Sequence, residues 1–271
     1  MIASLLIGFR EGLEATIIVG IVMGYLKKNG QLSHMLMAWA GVGTAVLTSF
    51  LVALGITLVG AELEGRNEQI FEGSTMFLAV AMLTWMIFWM QTQAHRLRTV
   101  LENDIRMAVT SGTAWGLFGL MFVAVFREGV ETALLFTASA FAANGLSTFI
   151  GAGIGLALAA ALGWAIYAST ARLNLSLIFN LTGVLLLFFA AGLLAHGVHE
   201  FQEAALLPIT IEHVWDTNAI LNEKSLLGEI LHALFGYNPS PSLLEVISYV
   251  CYWIVALGVV RWLAKKRVTL A

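Results

Sequence analysis

Residues 9–14 read FREGLE and residues 126–131 read FREGVE, the same arginine and two glutamates set into two apolar stretches 117 residues apart. A single buried charge is easily dismissed as an accident of packing. Two copies of one charged triplet in one order imply a duplicated element, and their surroundings decide what kind of fold holds them.

Those surroundings are apolar on a scale that excludes a soluble domain. Of 271 residues, 59% are hydrophobic and 11% charged, with a mean hydropathy of +0.86, whereas soluble domains are about 25% charged. Runs of about 20 apolar residues recur, each long enough to cross a hydrocarbon layer of roughly 30 Å as a helix. Hydropathy predicts seven spans at 2–26, 35–60, 71–91, 114–142, 147–169, 177–198 and 243–263. The expected class is an all-α polytopic membrane protein with one transmembrane domain over 1–271. Met1 to Phe9 carries no basic residue and runs directly into the first motif, so the first segment reads as a retained span and not a cleaved signal. One cysteine, Cys251, excludes an internal disulfide framework and a cysteine-rich metal site.

Positive charge predicts the orientation. Lys27, Lys28, Arg96, Arg98, Arg106, Arg172, Arg261, Lys265, Lys266 and Arg267 follow the odd-numbered spans, against Arg66 and Lys224 on the other side. Basic residues accumulate in cytoplasmic loops, which places the N-terminus outside and the C-terminus inside a cytoplasmic (inner) membrane. Acids take the opposite side: Glu62, Glu64, Glu68 and Glu72 surround the second loop, and most of the others lie in or beside an outer acidic loop at 199–242. Such a face concentrates cations. The connector at 92–112 alternates charge and apolar positions and is expected to form a short cytoplasmic surface helix. The stretch SLLGEILHALFGYNPSPS (225–242) is expected to hold an interfacial helix ended by Gly236 and the prolines Pro239 and Pro241.

Three spans separate the starts of the first and fourth, so the two FREG motifs fall on antiparallel helices at similar depth. This predicts a 3+3 inverted-topology repeat, 1–91 and 113–198, with an added seventh helix at 243–263; in carriers of this design the substrate binds at the midplane between the halves.

On a helix, Glu11 and Glu14 share a face with Arg10 at its edge, and Glu128, Glu131 and Arg127 repeat the pattern. Gly12 and Gly129 between the acids let a neighbouring helix come close. A charged residue at the bilayer centre costs roughly 2.5–3.5 kcal/mol, so six left unpaired would cost about 15–20 kcal/mol, more than a typical folding stability of roughly 5–15 kcal/mol. They must face one another, water or an ion. Ionised, the six carry a net charge of −2 and offer oxygens from two opposed helices, which suits a hard cation such as ferric or ferrous iron, manganese or calcium. Glu11 and Glu128, the acids without an assigned arginine at i−4, are the first choice of ligand, with Glu14 and Glu131 beside them. His196, His199, Glu200 and Glu203 at the outer end of the sixth span, with Glu72 on the third, could hold a metal at the mouth. The stripe Met82, Met86, Met90 beside Trp85 and Trp89 reads as packing, and His34, His95, His213 and His232 read as loop or surface residues.

At these residues the sequence resembles the high-affinity iron permease family, the oxidase-dependent iron transporters of fungi and their bacterial relatives of the EfeU type. The family carries R-E-x-x-E in its first and fourth spans, here Arg10, Glu11, Glu14 and Arg127, Glu128, Glu131. The likeness extends to FEG (71–73), LTWMIFWM (83–90), RLNL (172–175) and AAGLLAHGVHEFQEAALLP (190–208). It implies import of iron as a transported substrate, with no cofactor, through the glutamates of both motifs. Ferric iron is favoured, and ferrous iron, manganese and lead are alternative cargoes. The implied partners are the lipid bilayer, the ion and separate periplasmic iron-oxidising or iron-delivering proteins, with no nucleic acid. A reading from another class, an intramembrane di-metal carboxylate enzyme, lacks the Glu-x-x-His pairs such sites use, and the chain is not expected to be an enzyme.

Overall fold

A computed structural model of the chain describes residues 1–93, 114–143, 145–168, 175–218, 220–221 and 225–269. These residues form α1 (Ile2–Lys28), α2 (Met35–Glu62) after a 3-10 turn at Leu32–His34, α3 (Arg66–Gln93), α4 (Ala114–Phe141), α5 (Gly145–Ala168), α6 (Leu175–Glu203), α7 (Leu226–Phe235) and α8 (Leu243–Thr269), with no strand among them. The expected connector helix lies outside the described residues beyond position 93, as does RLNL through position 174. Helices occupy the stretches expected from hydropathy, with ends that differ by a few residues; α4 and α5 stop one residue short, at Phe141 and Ala168. The second loop shrinks to Leu63–Gly65, so Glu68 stands with Glu72 on the first two turns of α3, where the sequence placed Glu72.

Five helices, α2, α3, α5, α6 and α8, contain a segment long and apolar enough to cross a membrane with at most two charges. The helices α1 and α4 match them in length, at 27 and 28 residues, or about 40 Å each, but each carries one charged triplet. Their polar cargo is what sets them apart. Burial divides the bundle: half of the apolar window of α6 is covered by protein, against 11% for α2 and for α8. The faces left open on α2 and α8, including Leu47, Phe50, Leu54, Ile254 and Val255, suit lipid.

Small residues bring the motif helices close to their neighbours. A Cβ added to Gly8 would stand 2.9 Å from Ala152 O and one added to Gly12 would stand 2.8 Å from Ala159 Cβ, while Gly151 and Gly155 lie against the backbones of Met1 and Leu5. This makes α1·α5 a backbone-to-backbone contact between parallel helices. The parallel pair α2·α4 is built alike, with Gly41 against Phe118 and Met121 and Gly129 against Ser49. By contrast α1 and α4 run antiparallel: Ala3 and Ile7 share a core with Leu135 and Ala138, and Val22 and Leu26 share another with Leu117 and Met121. The central antiparallel pair α3·α6 closes around Gly73 and Gly197, packed on Phe201 and Phe77. Met86 and Met90 are buried, as packing predicts.

Outside the bundle the loop after α6 is ordered by backbone pairing. Val214 N donates to Pro241 O at 3.0 Å, Thr217 N to Pro239 O at 2.9 Å and Leu243 N to Ile211 O at 3.1 Å. The expected amphipathic helix is α7, capped by the Ser225 hydroxyl accepting from Gly228 N, and ended by Gly236 at φ 66°. His232 is not the surface residue expected. Its Nε2 lies 3.0 Å from Ala142 O and its Nδ1 2.9 Å from Tyr237 O, so it fastens α7 to the end of α4.

Candidate metal site

The two motifs meet. Arg10, Glu11, Glu14 and Glu128 are buried, Glu131 is 12% exposed in its side chain, and α1 and α4 bring the acids into one cluster. One carboxylate oxygen from each of Glu11, Glu128 and Glu131 lies within 4.8 Å of the others. The buried oxygens Glu11 Oε1 and Oε2, Glu128 Oε2 and Glu131 Oε2 have no hydrogen-bond partner. Glu14 Oε1 and Arg10 Nε and Nη1 beside them are also without a hydrogen-bond partner, although buried polar atoms are nearly always partnered, so this cluster is the candidate place for a cation.

The arginines serve the two halves unequally. Arg10 is 1% exposed and straddles its own motif, Nη1 at 3.6 Å from Glu11 and Nη2 at 3.2 Å from Glu14. Arg127 keeps 51% of its side chain exposed, donates from Nε to Glu131 Oε1 at 2.9 Å and lays its guanidinium over the Trp89 ring, 5.4 Å from the centroid. Glu14 therefore stands outside the trio, committed to Arg10. Glu131, assigned to Arg127 by spacing, keeps its second oxygen in the trio. Glu11 and Glu128 are both members.

The residues expected at the outer mouth pair off. His196 Nε2 lies 3.6 Å from Glu200 Oε1, and His199 Nε2 lies 3.2 Å from Glu203 Oε1. Glu203 also accepts from Gln69 Nε2 at 2.9 Å. Glu72 stands within electrostatic reach of Glu200 and Glu203. No three of these five residues converge as the central acids do. What orders this region is Glu245, whose role sequence reasoning missed. Its carboxylate faces His199 Nδ1 at 3.1 Å and accepts from Asn238 Nδ2 at 2.8 Å and Ser242 N at 3.2 Å, while Ser242 Oγ faces Glu245 N at 3.3 Å. This is a capping box, legible in S-L-L-E at 242–245. With a carboxylate at each ring nitrogen, His199 bridges α6 and α8. Trp89 was also missed as a partner of Arg127, because helical spacing places it in a packing stripe.

The chain matches the profile of the Iron permease FTR1 family over residues 1–269. Among curated proteins it is similar to the ferrous iron permease EfeU of Yersinia pestis, 36% identical over 259 residues that cover 95% of this chain and 92% of that one. It is 35% identical to the ferrous iron permease EfeU of Escherichia coli O6:K15:H31 over 259 residues, covering 95% and 94% of the two chains, and the permease of Shigella sonnei gives the same figures. No solved structure matches the chain.

Proposed function

This chain belongs to the iron permease FTR1 family, and we propose that it imports iron across the inner membrane by alternating access around Glu11, Glu128 and Glu131, with Glu14 and the two motif arginines as their electrostatic frame. The observation that carries the reading is the buried trio of carboxylates from two antiparallel helices, close enough to share one ion. Four carboxylates against two arginines, Arg10 on Glu11 and Glu14 and Arg127 on Glu131, leave surplus negative charge for a hard cation.

The internal contacts support an inverted repeat as the machinery. Gly41 faces Phe118 O and Met121, and Gly151 faces Met1 O and Ser4. The two glycines are 110 residues apart, and each facing pair is 117 apart. Gly129 against Ser49 and Gly12 against Ala159 repeat both offsets. Equivalent helices of the two halves thus pack in equivalent register, the condition for two such halves to exchange roles.

Ferrous iron is the proposed cargo. The sequence alone favoured ferric iron, but the full-length relatives are named ferrous iron permeases. The N-terminus lies outside, so the acidic face and the His196, His199, Glu200, Glu203 and Glu72 region meet the periplasm, where they gather the cation or receive it from a separate delivering protein. Uptake of radioactive iron into proteoliposomes, with ferrous and ferric iron supplied separately, tests this. A Glu11→Ala, Glu128→Ala double variant inserted at normal levels is expected to transport nothing above background. Full uptake by that variant would defeat the site, and faster uptake of ferric iron would defeat the assignment of cargo.

A further inference from the structure

The two R-E-x-x-E motifs have one sequence and two geometries. On α1 the guanidinium of Arg10 reaches both neighbouring acids, Glu11 at i+1 and Glu14 at i+4. On α4 the guanidinium of Arg127 reaches only the acid at i+4, Glu131, and no other ion pair among the described residues engages it. The difference is an aromatic ring. Trp89 of α3 lies under the Arg127 guanidinium, and Arg10 has no such ring among the described residues. With Arg127 held there, the i+1 acid Glu128 has no ion pair within its own motif, whereas Glu11 has Arg10 at 3.6 Å; Oε2 of Glu128 and of Glu131 is buried without a hydrogen-bond partner.

We propose that Trp89 is a positioning residue for the metal site: by holding the Arg127 guanidinium against its ring, it keeps that arginine off Glu128 and leaves the Glu128 carboxylate and the second oxygen of Glu131 open to the ion they share with Glu11. The inference rests on the reading of those acids as the site. Arg127 and a cation compete for the same carboxylate, because a guanidinium that straddled Glu128 and Glu131 as Arg10 straddles Glu11 and Glu14 would neutralise the charge the ion needs. The ring adds an attraction for the planar cation that does not consume a carboxylate. The exposure of Arg127, 51% against 1% for Arg10, follows from the same arrangement.

The experiment is binding of radioactive ferrous iron, kept reduced with ascorbate, to the full-length protein in detergent, paired with initial uptake rates in proteoliposomes. Trp89→Leu is expected to weaken iron binding and raise the KM for uptake by about 3- to 30-fold, the range set by typical cation–π attractions, with little change in maximal rate. Trp89→Phe, which keeps an aromatic face, is expected to recover most of the affinity. In an Arg127→Gln background the loss on Trp89→Leu should disappear, because the competitor is gone. Unchanged affinity in Trp89→Leu would overturn the proposal, and so would an equal loss with and without Arg127, which would make Trp89 a packing residue. A wild-type protein that binds no ferrous iron would instead overturn the metal site, and this inference with it.

Discussion

Glu11 and Glu128, from helices that run in opposite directions, present carboxylate oxygens within 4.8 Å of each other and of Glu131. Like charges at that separation in a buried place repel, a cost in stability that the proposed binding site accounts for. Replacing Glu128, which has no ion pair among the described residues, by its neutral isostere should therefore move function and stability in opposite directions. Glu11→Gln and Glu128→Gln are each expected to reduce iron affinity about 10- to 100-fold, the range for losing one charge-assisted contact. Thermal denaturation in detergent should be unchanged or shifted upward for Glu128→Gln and lowered for Glu11→Gln, which takes one of its two partners from the buried Arg10. Uptake kinetics and a melting curve on the same preparation check both signs.

Losing an arginine should have unequal consequences at the two motifs. Arg10 is enclosed with Glu11 and Glu14, so Arg10→Gln strands buried acids at a cost of about 3–5 kcal/mol. Arg127 is half open, and Arg127→Gln should cost about 1 kcal/mol or less. The abundance of each variant in the membrane and its melting temperature give the order; equal losses would contradict the asymmetry.

Close helix approach predicts where bulk is tolerated. Gly12 has Ala159 Cβ 2.8 Å from the position of an added Cβ, and Gly155 lies on the Leu5 backbone, whereas nothing stands within 4 Å of Gly20. Gly12→Leu and Gly155→Leu should abolish insertion or uptake, and Gly20→Leu should leave both near wild type. The three variants can be compared by membrane level and transport rate.

The tie between α6 and α8 predicts a change in the outer loop. Glu245→Gln removes the charge that holds His199, Asn238 and Ser242 N and should weaken the tie by about 1.5–3 kcal/mol. Limited proteolysis of the protein in detergent is expected to cut the stretch 204–242 faster in this variant than in wild type, with iron affinity unchanged.

Orientation is testable without transport. A reporter that fluoresces only in the cytoplasm, fused after Ala271, should light up, and a phosphatase active only in the periplasm should be silent there. The opposite pattern would invert the proposed topology and place the acidic face on the wrong side for import.

The primary structure by itself determined the helices and pointed to the six charged residues that the fold gathers in its interior. Apolar runs in a solvent without hydrogen bonds must become helices, because only helices satisfy their own backbone, and that constraint is local enough to be read from composition. The pairing of the two motifs was legible for the same reason: six charges in such runs cannot stay apart. The division of labour among the six was not legible. Spacing makes Arg10 and Arg127 equivalent, yet Arg10 is enclosed and Arg127 leans on Trp89, a residue 38 positions earlier in the chain. Only the packing of α3 against α4 could bring that ring beneath it. The outer histidines tell the same story, since helix spacing places His199 near Glu203, but the partner that fixes it, Glu245, arrives on another helix 46 residues later. Contacts within one helix follow from its period, whereas contacts between helices follow from which faces the small residues allow to touch, and that was decided by the assembled bundle.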